Sequence, residues 1–298
     1  MKEKLMKIDI HSHTGMWNPS YIQPECALAT PEDMRESYIE HGVDKGILLP
    51  LISPEFRWCV NTNEEMEYLA NKYSDLFYWF CNIDPRMGNN SPDYNFSEML
   101  MYYKNKGARG VGEFTAHLPV DDPLMENFFY HCGECDMPVL VHISDRKYND
   151  YGIIDDLGLP KIEKMLKKYP KLKIIGHSGC FWSEISSDVN HENRCFSNKG
   201  KVLEGRVVEM LRECPNLYCD ISANSGANAM MRDPEFTYKF IEEFSDRIMF
   251  GMDICYKGQK LPLSKWLDDA YDNDCISYEN YYKVCRGNAI RFLNLNEV

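Results

Sequence analysis

Two histidines near the start of the chain, His11 and His13, are separated by one residue in the stretch Ile-Asp-Ile-His-Ser-His. Because residues of like parity on a strand share a face, we expect Asp9, His11 and His13 to point the same way. Two imidazoles at the carboxyl end of a strand can bind one divalent metal ion. The pair alone is equally compatible with two surface histidines, so the remaining ligands must come from later strands.

Side chains of ligand type also follow other predicted strands. Glu113 follows the fourth strand and His142 the fifth, and His177 and Asp253 follow the sixth and the eighth. Any one of them could be a strand-end cap or a hydrogen-bonded polar group of the core. Because five strand ends carry such residues, the pattern favours one shared metal site over five unrelated polar groups.

The elements that must position these residues are short apolar runs that alternate with amphipathic stretches. The runs are bounded by Gly, Pro, Asn or Asp, as is typical of parallel strands buried on both faces. The predicted strands are 7–10, 45–49, 77–81, 108–111, 138–141, 172–175, 217–220 and 247–250. The predicted helices are 31–41, 63–73, 94–106, 122–135, 159–169, 201–213 and 234–244. Eight strands alternating with helices predict an α/β fold, the (β/α)8 TIM barrel.

Three long connections follow strands in this pattern. They are residues 14–30 after the first strand, 143–158 after the fifth and 178–200 after the sixth. All three follow a carboxyl end, the face on which barrel enzymes carry their active sites. Since no linker or repeat interrupts the chain, we expect one domain over residues 1–298.

Composition and charge limit the classes of function and the cellular compartments that are compatible with the sequence. The net charge of −13 argues against binding to nucleic acid or anionic lipid. No apolar run approaches the ~20 residues of a membrane span, and the N-terminal residues do not resemble a signal peptide. The sequence therefore predicts a cytoplasmic protein.

The 12 cysteines show no regular spacing, so we expect reduced thiols in the core and not a disulfide framework. Cys132 and Cys135 form one Cys-x-x-Cys, which indicates either a structural zinc site or packed thiols. Because no second Cys-x-x-Cys accompanies it, we favour packed thiols.

The order His-x-His, His, His, Asp across the first, fifth, sixth and eighth strands resembles the amidohydrolase superfamily of metal-dependent hydrolases. The details are similar to its amidohydrolase-2 branch, which also contains decarboxylases. The stretches that carry the resemblance are 8–13, 138–142, 174–179, 216–222, 247–253 and 287–293. The resemblance implies a TIM barrel that binds one or two divalent ions, with Zn²⁺ as our first choice and Mn²⁺ or Fe²⁺ as alternatives.

The resemblance also implies residue roles. His11, His13, His142 and Asp253 would bind the metal, and Asp253 would take a proton from the metal-activated water. His177 would orient this water or polarise the substrate if one ion binds, and would be a ligand if two bind.

Two positions depart from the pattern of the branch. Met252 replaces a small polar neighbour of Asp253, and no strand-four lysine is present that could be carboxylated to bridge two ions. Glu113 occupies that place, as a glutamate does in the TatD-like nucleases. It binds the metal directly, bridges two ions or only hydrogen-bonds a ligand, and we favour a direct or bridging role.

For the substrate we expect a small molecule with aromatic or carboxylate character, contacted by residues of the long loops. The candidates are Trp17, Arg146, Trp182 and Arg194. The leading hypothesis is hydrolysis of a C–N or C–O bond, and the alternative is non-oxidative decarboxylation of an aromatic or enoic acid. A TatD-like phosphodiesterase is opposed by the charge of −13, and a non-catalytic metal-binding protein is opposed by the complete ligand set. A homo-oligomer is compatible with the sequence.

Overall fold

The strands of the computed structural model, which describes residues 2, 4–16, 28–56, 60–147, 151–196 and 198–296, pair in parallel. Within these residues they are β1 Lys7–Ser12, β2 Val43–Leu48, β3 Phe77–Trp79, β4 Val111–Phe114, β5 Val139–Ser144, β6 Ile153–Ile154, β7 Ile174–His177, β8 Leu217–Asp220 and β9 Ile248–Met249. The two-residue β6 pairs with β5 only. The other eight strands correspond to the eight predicted strands.

Helices separate consecutive strands, except that none is described between β5 and β6. Over the same residues they are α1 Pro31–His41, α2 Asn63–Lys72, α3 Ser97–Asn105, α4 Pro123–Glu134, α5 Pro160–Lys168, α6 Gly179–Trp182, α7 Arg206–Glu213, α8 Ala223–Met231, α9 Pro234–Phe244, α10 Pro262–Asp272, α11 Tyr278–Tyr282 and α12 Asn288–Leu293. Seven of these overlap the predicted helices. The Thr30 hydroxyl accepts the backbone N–H of Asp33 at the start of α1, and Gly42 ends this helix in the left-handed conformation. None of the helices in the described part of the chain is long and apolar enough to cross a membrane.

The strands form two sheets that meet at both edges. The first sheet has the order β1-β2-β3 and the second has the order β4-β5-β7-β8-β9. Backbone hydrogen bonds join them: Cys81 N–H donates to Gly110 O over 3.0 Å, and Ile10 N–H donates to Phe250 O over 3.1 Å. The strands therefore follow one another as in a (β/α)8 barrel, which confirms the predicted fold class.

The interior of this strand ring is a separate apolar cluster. It contains Ile8, Ile47, Leu140, Ile175 and Met249 from five strands, packed against residues of α12. The much larger second core lies between strands and helices. Because α12 covers the amino ends of the strands, the carboxyl ends are the face at which polar side chains can reach open space.

Strand β4 starts three residues later than the sequence pattern predicts. The predicted strand ended at Val111, whereas the observed β4 runs to Phe114 and includes Glu113. Gly110 lies against Phe80, and a Cβ atom at this position would come within 2.7 Å of the Phe80 ring. The glycine therefore serves close packing before the strand begins.

Two cysteines differ from the expectation that all thiols are reduced. Cys180 of α6 and Cys195 form a disulfide, so this expectation was wrong for the pair. The long connection after β7 folds back onto α6, and a Cβ atom at Gly179 would meet the Cys195 carbonyl oxygen at 2.8 Å. Cys132 and Cys135 are buried and free, and the clusters of metal-type ligands found among the described residues do not include them. The packed-thiol interpretation of this pair stays a prediction.

Candidate metal centre

A register shift in β1 accompanies the two histidines, His11 and His13. The pairing of β1 with β2 shifts register between Asp9 and Ser12, and both His11 and His13 are buried. Their Nε2 atoms lie 3.0 Å apart. Sequence spacing therefore correctly predicts that the two imidazoles meet.

The side chain of Asp9 does not point in the same direction as those of His11 and His13, contrary to the expectation from strand parity. Its carboxylate accepts the N–H groups of His11 and Met252, and it also accepts the hydroxyl of Tyr38 on α1 over 3.1 Å. The register shift in β1 breaks the alternation on which the expectation depended. Burial raises the pKa of Asp9 to about 6, and its contacts make it a structural carboxylate between β1, α1 and the segment after β9.

The Nδ1 atoms of His11 and His13 each have a hydrogen-bond acceptor. His11 Nδ1 donates to Asp220 Oδ2 over 2.7 Å, and His13 Nδ1 donates to the Leu49 carbonyl oxygen over 3.2 Å. With Nδ1 as the donor, the Nε2 atom of a neutral imidazole carries a lone pair. Two lone pairs that face each other at 3.0 Å repel unless a cation, either a metal ion or a proton held by one of the rings, lies between them. This arrangement fits a bound metal ion.

Two carboxylates face the same nitrogens. Asp253 Oδ1 lies 3.5 Å from the Nε2 atoms of both His11 and His13. Glu113 Oε2 lies 3.5 Å from His13 Nε2 and 3.9 Å from His11 Nε2. Imidazole nitrogen and carboxylate oxygen are ligands of Zn²⁺, Mn²⁺ and Fe²⁺, so these four side chains could hold one such ion.

The second oxygen of Glu113 faces the other two histidines. His142 Nδ1 donates to Glu113 Oε1 over 2.6 Å, and His177 Nε2 lies 3.9 Å from the same oxygen. Glu113 thus lies between the pair His11–His13 and the pair His142–His177, and its two oxygens face one pair each. All six residues predicted as metal ligands come together at the carboxyl ends of the strands. The arrangement offers a second, three-residue group for another ion.

The charges of the cluster shift its pKa values. Burial lowers the pKa of His11, but the surrounding carboxylates outweigh this effect and raise it to about 10, with Asp253 contributing most. Burial raises the pKa of Glu113, but His142 and the neighbouring histidines hold it well below its usual range. Burial likewise opposes ionisation of Asp220, yet His177 and His11 keep its pKa below the usual range. These shifts favour the ionised forms of Glu113 and Asp220.

An open cleft of about 700 Å³ borders the cluster. His177 and Asp253 form part of its wall, together with Tyr151, Tyr256 and Lys260. Among the described residues that line the cleft, Lys260 is the only lysine or arginine. Sequence reasoning missed these three wall residues. Residues 254–261 follow the last strand at its carboxyl end, and the position of this segment in the barrel pattern was the signal that could have identified Lys260.

The four predicted substrate contacts are placed elsewhere or lie outside the structure. Trp17 lies outside the described residues, and Arg146 is exposed and is not part of the cleft wall. Trp182 is buried, and its indole N–H donates to the Asp220 carbonyl oxygen over 2.8 Å. Arg194 is fully buried and forms ion pairs with Asp145 at 3.1 Å and Glu184 at 3.2 Å.

These placements correct the expectation for Trp182 and Arg194. The sequence pattern located both on the loop after the sixth strand, but it contained no information on whether their side chains turn inward. Trp182 is hydrogen-bonded to the backbone of β8, and Arg194 connects the loop to Asp145 and Glu184. Neither side chain is in a position to contact a substrate in the cleft.

Comparison with known proteins places the chain in a family. A sequence profile described as Amidohydrolase (Amidohydro_2) matches residues 71–295. This range includes Glu113, His142, His177 and Asp253 but begins after His11 and His13. No curated protein matches the chain in sequence.

Solved structures of similar fold span nearly all of the chain. An uncharacterised TIM-barrel protein from Bordetella bronchiseptica has a TM-score of 0.65 and 17% identity, over 97% of this chain and 98% of that one. A dihydroxybenzoic acid decarboxylase from Polaromonas sp. JS666, with bound manganese and 2-nitroresorcinol, has a TM-score of 0.59 and 18% identity, over 99% and 98%. A probable 2-pyrone-4,6-dicarboxylic acid hydrolase from Acinetobacter baumannii has a TM-score of 0.58 and 12% identity, over 98% and 100%. The profile match covers well over half of the chain, and the protein therefore belongs to the amidohydrolase family, in its amidohydrolase-2 branch.

Proposed function

We propose that the protein is a metal-dependent hydrolase that cleaves a C–N or C–O bond in a small molecule. The observation that carries this proposal is the position of Asp253. Its carboxylate faces His11 and His13 at 3.5 Å and also forms part of the wall of the open cleft. A divalent ion, when bound, lowers the pKa of a coordinated water and polarises the substrate.

Asp253 would accept the proton of the attacking water. It exposes 20% of its side chain, whereas Glu113 exposes 5%. A proton acceptor must reach both the metal-side water and the leaving group, and Asp253 is the more accessible of the two carboxylates. Glu113, enclosed by histidines on both sides, suits the role of a ligand or a bridge between two ions.

His177 would orient the water or polarise the substrate. Its Nδ1 atom is held by Asp220 Oδ2 at 3.0 Å, and its Nε2 atom lies 3.9 Å from Asp253 Oδ2. Fixing Nδ1 leaves Nε2 directed at the same space as the carboxylate of Asp253. If a second ion binds, His177 would become a ligand together with Glu113 and His142.

Zn²⁺ remains our first choice of cofactor, with Mn²⁺ and Fe²⁺ as alternatives, and either one or two ions fit the ligand set. We also retain the proposals that the protein is cytoplasmic, acts on a small molecule and not on nucleic acid or membranes, and is compatible with a homo-oligomer.

Decarboxylation of an aromatic or enoic acid is the second candidate, favoured by the structural likeness to dihydroxybenzoate decarboxylases. A loop arginine held over the metal would favour such an enzyme. Arg194 is engaged in buried ion pairs, and no arginine is among the described residues of the cleft wall. Hydrolysis is therefore our first proposal.

The test is elemental analysis of the purified protein followed by a substrate screen with amides, lactones, phosphoesters and aromatic acids. We expect a divalent metal and turnover of an amide, lactone or ester, and loss of this turnover in Asp253→Asn. Release of CO₂ from a carboxylic acid without water consumption would replace hydrolysis by decarboxylation. Absence of any divalent metal would overturn both proposals.

A further inference from the structure

The segment that follows β9 carries a cysteine close to the metal centre. Cys255 lies two residues beyond Asp253, and its Sγ atom is 3.5 Å from Asp253 Oδ1. The ligand atoms of His13, Asp253 and Cys255 all lie within 4.8 Å of one another. A hydrolase ligand set of imidazoles and carboxylates does not need this thiol. The proposed function therefore does not explain why a cysteine lies beside these ligands.

Hydrogen bonds with Gln259, Ala29 and His13 hold the backbone around Cys255. The Gln259 side chain accepts the Cys255 N–H over 2.8 Å and donates to the Asp253 carbonyl oxygen over 2.6 Å. The Cys255 carbonyl oxygen accepts the N–H of Ala29 over 2.8 Å, and the carbonyl oxygen of the preceding Ile254 accepts the N–H of His13 over 3.0 Å. Because these bonds fix the segment relative to β1, the sulfur has a defined place beside His13 and Asp253.

The distances suit adjacent ligands of one zinc ion. Bond lengths of about 2.0–2.3 Å to nitrogen, oxygen and sulfur place neighbouring ligand atoms of such an ion about 3.3–3.6 Å apart. The separation between Cys255 Sγ and Asp253 Oδ1 is 3.5 Å, and the separation between Asp253 Oδ1 and His13 Nε2 is also 3.5 Å. Two of the three separations therefore have the spacing of adjacent zinc ligands, and the third, between Cys255 and His13, lies within 4.8 Å.

We propose that Cys255 is an additional ligand of the metal centre, beside His13 and Asp253, and that its sulfur makes the centre select Zn²⁺ over Mn²⁺. The inference rests on the metal centre of the proposed function. On binding, the S–H bond breaks, its proton passes to solvent, and the thiolate lone pair forms the bond to the ion, with no change of oxidation state. Thiolate sulfur is a soft ligand that suits zinc, whereas Mn²⁺ prefers oxygen ligands.

Binding of the ion would supply the driving force for loss of the thiol proton. A divalent ion at the centre reverses the sign of the local charge and deprotonates a coordinating thiol. Cys255 also lines the cleft, so an ion that enters from the open side can reach the sulfur.

The test uses the full-length protein reconstituted with Co²⁺, which occupies zinc sites and reports sulfur ligation by a near-ultraviolet thiolate-to-cobalt charge-transfer band. We expect this band in the parent protein and in the control variant Cys285→Ala, whose cysteine is buried elsewhere. We expect the band to disappear in Cys255→Ala and Cys255→Ser, while the visible ligand-field bands of bound Co²⁺ remain. In competition titrations the preference for Zn²⁺ over Mn²⁺ should fall about tenfold or more in these variants.

Two results would overturn the proposal and are distinguishable from failure of the proposed function. Bound Co²⁺ without a charge-transfer band in the parent protein, or a band that persists in Cys255→Ala, would exclude Cys255 as a ligand and leave the metal centre intact. No binding of Co²⁺ or Zn²⁺ to the parent protein would instead remove the metal centre on which the proposed function depends.

Discussion

His11 and Asp220 form a fully buried pair in which the imidazole Nδ1 donates to the carboxylate Oδ2 over 2.7 Å. The same oxygen lies 3.0 Å from His177 Nδ1, and the Ser222 hydroxyl donates to it over 2.7 Å. One carboxylate from the end of β8 thus fixes the ring orientation and the tautomer of two histidines of the metal centre. Such partners orient metal ligands and raise their basicity.

Substitution of this carboxylate should weaken metal binding. We expect Asp220→Asn to lower Zn²⁺ affinity by about 10–100-fold, since the amide no longer enforces donation from both Nδ1 atoms. Competition with a chelator measures the affinity, and Asp93→Asn, at an exposed position, is the matched control. Equal affinities in Asp220→Asn and the parent protein would show that the pair does not orient the ligands.

Removal of a proposed ligand should reduce metal content directly. We expect His11→Ala to lower the metal bound per chain after dialysis to well under half of the parent value, because His11 faces both carboxylates. Elemental analysis is the measurement. His131→Ala is the control, since His131 lies on α4 and contacts Ser97. If His11→Ala retained its full complement of metal, the ion would have to bind somewhere else.

The ammonium group of Lys260 at the cleft should favour the binding of anionic substrates. Lys260 lines the cleft and is exposed, so its pairing with a substrate anion is worth about 1 kcal/mol or less. We expect Lys260→Met to raise KM for anionic substrates about two- to fivefold and to leave neutral substrates unaffected. Lys257→Met is the control, because Lys257 pairs with Asp33 on the surface. A uniform fall in kcat for both substrate types would argue against this role.

Arg194 should matter for stability and not for substrate binding. Its guanidinium is buried between Asp145 and Glu184, and Arg194→Met would leave these carboxylates without their partner. We expect a loss of about 3–5 kcal/mol of unfolding free energy. Arg146→Met, at an exposed position, should change stability by about 0.5 kcal/mol or less. Urea unfolding measures both. A stable Arg194→Met protein with a raised KM would restore the original expectation of a substrate contact.

Asp155, which is not one of the proposed metal ligands, should link stability to pH. Burial outweighs its bonds from the N–H groups of Ile162, Lys161 and Asp156 and raises its pKa from 3.8 to about 6. The folded state therefore holds the proton more tightly than the unfolded state. The stabilisation is complete below about pH 4 and is lost as the pH rises through 6, a change of roughly 2–3 kcal/mol.

The variant Asp155→Asn removes this titration. The unfolding free energy of the parent minus that of the variant should fall by roughly 2–3 kcal/mol between pH 4 and pH 7, measured by urea unfolding at each pH. A difference that is constant with pH would show that the three N–H groups hold the pKa of Asp155 at its ordinary value.

Sequence patterns predicted the order of the elements and the proximity of the six proposed ligands. The apolar runs have the length and bounding residues of buried parallel strands, and parallel strands place their carboxyl ends on one face. A polar residue directly after such a run is therefore close to the others, whatever the strand boundaries. For this reason the three-residue displacement of β4 did not affect the prediction that Glu113 joins the histidines.

Side-chain direction in irregular segments could not be read in the same way. The register shift in β1 turned Asp9 towards Tyr38. The loop after β7 folded inward, which buried Trp182 and Arg194 and joined Cys180 to Cys195. These outcomes depend on which distant segments pack together, and no local periodicity encodes that packing.

The sequence by itself thus determined a barrel of parallel strands with histidines and carboxylates at one mouth, because strand periodicity and strand ends are local properties. Only the tertiary structure decided the partners of these residues. It placed Asp220 behind His11, Glu113 between two histidine pairs, and Cys255 and Lys260 on the open side. The physical reason is that hydrogen bonds, ion pairs and clefts form between residues that are far apart along the chain.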